Sequence, residues 1–149
     1  MGRVIASTVV PGRVVEAEVL WYDPSRWAAW IEGFGHVARL DGEWPAVGSR
    51  LLWDSPPSGR GRVVERMTAY EPRGGCALEV EDARLSGTQW VTFEPAGADN
   101  VRVTVVLEYE LKERNPLTPL IDPLFIRRAL RNSLRRTVTR FAHERRAEH

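Results

Sequence analysis

From Val101 to Leu111 apolar and polar residues alternate, with Val101, Val103, Val105, Leu107, Tyr109 and Leu111 on one side and Arg102, Thr104, Glu108 and Glu110 on the other. A period of two belongs to an extended strand whose one face is covered. The same alternation, less cleanly, sets Val63, Glu65, Met67 and Ala69 inward against Arg62, Arg66 and Thr68, and Leu78 and Val80 inward against Glu79 and Glu81. Gln89, Val91 and Phe93 share a face, with Trp90 opposite them. Turn residues separate these runs at Asp41-Gly42, Ala46 to Gly48, Pro56 to Gly61, Pro72 to Gly75 and Pro95 to Asn100. The chain after Gly33 therefore reads as an antiparallel meander.

Two other textures frame the meander. Residues 3–10 (RVIASTVV) are rich in β-branched types and stop at Pro11-Gly12, which predicts a first strand closed by a turn. Val14, Val15, Ala17, Glu18, Leu20 and Trp21 fit a short helix between Arg13 and Tyr22. Asp23-Pro24-Ser25 interrupts it before a second short helix over Arg26 to Ile31, with Asp23 or Ser25 as its cap. At the other end Ile126, Leu130, Leu134, Val138 and Phe141 recur at spacings of four, four, four and three, opposite Arg127, Arg128, Arg131, Arg135 and Arg136. This is the stripe of one long amphipathic helix, running from about Leu117 to Ala147, with Asp122-Pro123 as its start or a second cap. Such a stripe is the natural cover for the sheet. The predicted class is α+β: a curved antiparallel sheet of about seven strands around a long C-terminal helix, with two short helices after strand one.

Length and composition narrow the picture. A chain of 149 residues with 43% hydrophobic content suits a single domain over 1–149 with one core. There is no run of about 18 apolar residues and no basic segment followed by an apolar one at the N-terminus, so no integral membrane contact is expected and the default address is the cytoplasm. Cys76 is the one cysteine, and the histidines at 36, 143 and 149 are scattered, so neither a metal site nor any other cofactor is expected. The net charge of +1 is unevenly spread: residues 114–149 carry nine Arg against Asp122, Glu144 and Glu148. Arg supplies 20 of the 21 basic residues throughout, so the basic tail reads first as a solvated helix face and no nucleic acid is expected as partner.

The order of strand, two short helices, about six antiparallel strands and a long helix resembles the START-like superfamily, in its polyketide cyclase/dehydrase and lipid transport (SRPBCC) branch. The residues that carry the resemblance are Pro11 before the first helix, Asp23 with Trp30 in the helix pair, Val47-Gly48 before a strand, Gly61-Arg62-Val63-Val64-Glu65-Arg66, and Phe93-Glu94-Pro95 followed by Val101-Arg102-Val103-Thr104. They extend over nearly the whole chain. The resemblance implies a helix-grip fold and a cavity between the sheet and the last helix that holds a lipid, sterol, polyketide-like aromatic or other apolar molecule. It implies no particular chemistry.

Enzyme signatures such as G-x-x-x-x-G-K-[ST], G-x-S-x-G and H-E-x-x-H are absent, and Gly59-Arg60-Gly61 lacks the following helix that a phosphate loop needs. Alternation makes Glu65 the candidate catalytic residue. A dry carboxyl facing the pocket has a raised pKa and suits proton transfer in aldol cyclisation or dehydration, whereas an ion pair to Arg84 or a slipped register makes it structural. Trp30, Trp53, Met67, Phe93, Leu107, Tyr109, Phe125 and Leu130 are the candidate ligand-binding residues, together with small Ala69 and Gly61. Tyr109 offers a hydroxyl to orient a ligand oxygen, and Asp82, near a strand end, suits a turn or rim. His36 stands alone and reads as structural. Trp90 and Val106 on the outer face mark a homodimer surface or a covered edge. Three functions stay open: binding of a small apolar molecule, a cyclase/dehydratase using Glu65, and contact with polyanions through the Arg-rich helix.

Overall fold

The computed structural model describes residues 1–57, 59–112 and 123–149. Strand β1 (Gly2–Pro11) leads into α1 (Val14–Trp21), a 3-10 turn (Pro24–Arg26) and α2 (Trp27–Trp30). Six strands follow: β2 (His36–Asp41), β3 (Arg50–Asp54), β4 (Arg62–Glu71), β5 (Gly75–Glu81), β6 (Leu85–Pro95) and β7 (Asn100–Leu111). Helix α3 (Pro123–Glu148) closes the chain; the stretch Leu117 to Asp122 of the predicted helix lies outside the described residues. All seven strands form one antiparallel sheet in the order β1-β7-β6-β5-β4-β3-β2. β2 to β7 are successive hairpins, and β1 returns beside β7. The first two strands thus end on opposite edges, with α1 and α2 crossing between them.

Local chemistry explains the helix pair. The Arg13 backbone N–H donates to Glu16 Oε1 at 2.8 Å, which satisfies one of the donors left free at the start of α1. Asp23 is the cap of the second piece: its Oδ1 accepts from the Ser25 N–H at 3.0 Å and from the Ser25 hydroxyl at 2.6 Å. The Pro24 ring then fixes the first residue of the turn. Both helices drive indoles into the core, where Trp21 and Trp30 meet the Phe141 ring of α3, each at a centroid distance of 5.0 Å.

The alternation in β7 is observed as predicted: Val101, Val103, Val105, Leu107 and Tyr109 are all buried, and Leu111 is half-buried. Val91 and Phe93 of β6 are buried beside them, while Trp90 faces outward. β4 departs from the expected pattern. Its pairing with β5 shifts between Met67 and Ala69, and beyond that bulge every side chain turns over. Ala69 is consequently exposed and Tyr70 is the residue packed against the core. Gly61 is likewise exposed, at a positive φ before β4, and belongs to no apolar wall. The sheet's close approach elsewhere has its own requirement: at Gly75 (φ 145°) any side chain would run into the Val91 carbonyl of β6. The edge strand β2 is exposed along most of its length, and its His36, Arg39 and Asp41 discourage pairing with another chain.

Candidate functional site

The concave side of the sheet and α3 do not close completely on each other. A cavity of about 110 Å³ remains, bounded by Trp21 and Trp30 from the helix pair, Trp53 and Val63 from β3 and β4, Val105 and Leu107 from β7, and Leu130 and Leu134 from α3. Its wall is apolar except for a few groups, of which Glu65 is the most deeply placed. Glu65 is buried on β4 opposite Leu51 and Val80. Its Oε2 accepts a 2.7 Å hydrogen bond from the indole Nε1 of Trp53 on β3. Burial pushes the Glu65 carboxyl above the usual carboxylate range, and the Trp53 bond and the positive charge of Arg60 offset this only in part.

The anticipated ion pair to Arg84 does not form. Glu65 stands opposite Val80 on β5, and Val80 pairs with Gly87, so the turn carrying Arg84 lies several residues beyond it. That turn is organised by Asp82, whose Oδ1 accepts from the backbone N–H groups of Arg84 (2.8 Å) and Leu85 (3.0 Å). Asp82 Oδ2 holds Arg60, with Nε and the terminal nitrogen both at 2.9 Å. The Arg60 guanidinium lies 5.5 Å from the centre of the Trp53 ring and sits at the mouth of the cavity. Among the described residues Glu65 is therefore a buried acid whose one hydrogen-bond partner is neutral, with the nearby cation Arg60 committed to Asp82.

A model of the family described as polyketide cyclase / dehydrase and lipid transport matches residues 1–144. The chain belongs to this family. Solved structures similar to it include a START superfamily protein from Mycobacterium smegmatis, at a TM-score of 0.76 and 15% identity over 99% of each chain. A conserved protein from Geobacillus kaustophilus has a TM-score of 0.76 and 14% identity, covering 99% of this chain and 97% of that one. A truncated norcoclaurine synthase from Thalictrum flavum has a TM-score of 0.61 and 15% identity, covering 89% and 92%. Likeness at these identities is likeness of fold. No curated protein matches the chain.

Of the residues expected to form the site, this polyketide cyclase / dehydrase and lipid transport domain brings Trp30, Trp53, Glu65, Leu107 and Leu130 together around the cavity. Met67 and Phe93 are instead solid core, 1% and 2% exposed, away from the hollow. Tyr109 packs with Val4, Leu85 and Leu107 in a second small cluster, and its ring lies across Gly2, where no side chain would fit. Phe125 is 64% exposed, because it stands one residue before Ile126 in the helical stripe, and a single step rotates a side chain by about 100°. Missed by sequence reading were Trp21, Arg60 and Gln89, together with Glu32, Ser133 and Thr137 at the rim. Ser133 and Thr137 follow Leu130 at helical spacing, so extending the stripe to its polar flank would have found them. Among the described residues no helix is long and apolar enough to cross a membrane.

Proposed function

We propose that this domain binds a small apolar molecule in the cavity between β3 to β7 and α3. The observation that carries the reading is the hollow itself, walled by three indoles and aliphatic side chains, with one buried acid in its wall. Its volume of about 110 Å³ is below that of drug-sized pockets, so its resting form suits one ring rather than a whole lipid. A longer occupant requires the α3 segment around Leu130 to stand further from the sheet. The test is native mass spectrometry of the protein from its own host, with a panel of apolar fragments assayed by thermal shift. A co-purified compound absent from Leu130→Trp, which fills the hollow, supports the reading. No adduct and no stabilising fragment would remove it.

The burial of Glu65 favours a second reading, in which the bound molecule also reacts. A carboxyl whose pKa is raised by its dry surroundings is suited to donate to a carbonyl oxygen and to take the proton back, the exchange that a cyclase or dehydratase needs. Glu65→Gln separates the two functions. It retains the shape and the bond from Trp53, so binding survives, whereas any turnover is abolished.

A further inference from the structure

Gln89 lies on β6 in the cavity wall, paired directly with Leu78 of β5 and Leu107 of β7. Paired residues on adjacent strands share a face, and Leu78 and Leu107 are both buried on the concave side, so the Gln89 side chain points to the hollow with them. The residue is half-buried. Neither atom of its amide has a hydrogen-bond partner among the described residues, and neither is sealed in the packing as the Trp30 indole nitrogen is. Other polar side chains of the wall are engaged: Trp53 with Glu65, Arg60 with Asp82, and Ser133 and Thr137 with Glu32. Gln89 thus offers the hollow an open donor, Nε2–H, beside an open acceptor, Oε1, on one planar group.

That juxtaposition restricts the occupant. A ketone engages only the N–H, and a single hydroxyl oxygen cannot lie in line with both amide atoms. A carboxylate repels Oε1 and brings a charge that must be desolvated. A cis amide carries its own N–H and C=O at the same spacing in reverse order, so two parallel hydrogen bonds form and no polar atom of either partner is left unmet. A secondary amide outside a ring prefers trans, and a primary amide adds a further N–H to satisfy, so the matching edge belongs to a lactam. Size agrees: a cavity on the order of 150 Å³ takes a benzene ring, and this one, at about 110 Å³, suits one small ring. We propose that Gln89 is the specificity residue of the cavity and selects a compact cyclic amide, one ring with adjacent C=O and N–H groups. This rests on the reading of the cavity as a binding site and names the residue that reads the occupant and the chemical class it takes.

The experiment compares three five-membered rings: 2-pyrrolidinone, cyclopentanone, which lacks the N–H, and cyclopentane, which lacks both groups. Dissociation constants come from ligand-observed saturation-transfer NMR on the full chain. Gln89→Met keeps the length of the side chain and removes the amide. It should weaken 2-pyrrolidinone by about tenfold or more, cyclopentanone by less, and leave cyclopentane within about twofold, which also shows that the hollow is intact. Gln89→Leu should repeat the pattern. If Gln89→Met weakens cyclopentanone as much as 2-pyrrolidinone, the amide reads a lone carbonyl and the lactam assignment is overturned. If all three rings shift alike, Gln89 acts through shape and the inference is again overturned. A parent protein that binds cyclopentane and not 2-pyrrolidinone overturns it while sparing the binding reading. Binding of none of the three removes both.

Discussion

The two halves of α3 are built differently. In the C-terminal half Val138, Phe141, Ala142 and Arg145 are all buried, between 0% and 4% exposed. Phe141 packs edge-on against both Trp21 and Trp30, and Arg145 donates from Nε and a terminal nitrogen to the Pro11 carbonyl, each at 3.3 Å. Arg26 adds a 3.3 Å pair with Glu144. In the N-terminal half Ile126, Leu130 and Leu134 are only half-buried, against the Val4, Leu85, Leu107 and Tyr109 cluster. At the midpoint the Glu32 N–H donates to Thr137 Oγ1 at 3.1 Å, and the Glu32 carboxylate pairs with Arg136 and takes a hydrogen bond from the Ser133 side chain. One continuous apolar stripe thus does two jobs: one half locks the helix to the sheet, and the other roofs a hollow.

Mutation should expose this division. Phe141→Ala removes a fully buried ring from an aromatic cluster and should cost about 3–5 kcal/mol in urea unfolding. Leu130→Ala, half-exposed and already beside empty space, should cost only about 1–2 kcal/mol. Equal losses would erase the distinction between the halves. Arg145→Leu comes next, because it leaves the Pro11 carbonyl without its donors, at about 1–3 kcal/mol. Amide hydrogen exchange sharpens the comparison without mutation: residues 127–134 should exchange faster than 138–145 under native conditions.

The halves also differ in how legible they were. The stripe from Ile126 to Phe141 is visible in the sequence as a helix period, yet periodicity gives direction only; nothing in it distinguishes Phe141, gripped by two indoles, from Leu130 over a void. The sheet behaves similarly. Strict alternation exposed the inner face of β7 because that strand has no bulge. It misplaced Ala69 because an inserted residue reverses the faces without changing composition. Alternation also placed Glu65 inward, but its partner depended on strand register: Trp53 pairs with Val63, two residues from Glu65 on the neighbouring strand, and that neighbourhood is a property of pairing, not of spacing along the chain. The cavity was legible only as a family expectation, since its size is set by the separation of α3 from the sheet.

A smaller effect tests the roofed half from inside the cavity. The folded pKa of Glu65 is raised by burial above its ordinary value of 4.5, so the native state holds a proton that the unfolded chain releases. Stability from this group is therefore fully present below about pH 4.5 and declines as pH rises toward the folded pKa, beyond which it changes no further. The carboxyls held low by arginines, Asp54 beside Arg62 and Asp41 beside Arg39, act in the opposite sense, losing their contribution as pH falls through their folded values. Subtracting the Glu65→Gln stability profile from that of the parent cancels those shared terms. The difference should be flat in acid and then fall with rising pH, leaving Glu65→Gln the relatively more stable protein at neutral pH. Should the cavity be wet enough to solvate the carboxylate, the difference profile would stay level, and the roofed half of α3 would be open to water.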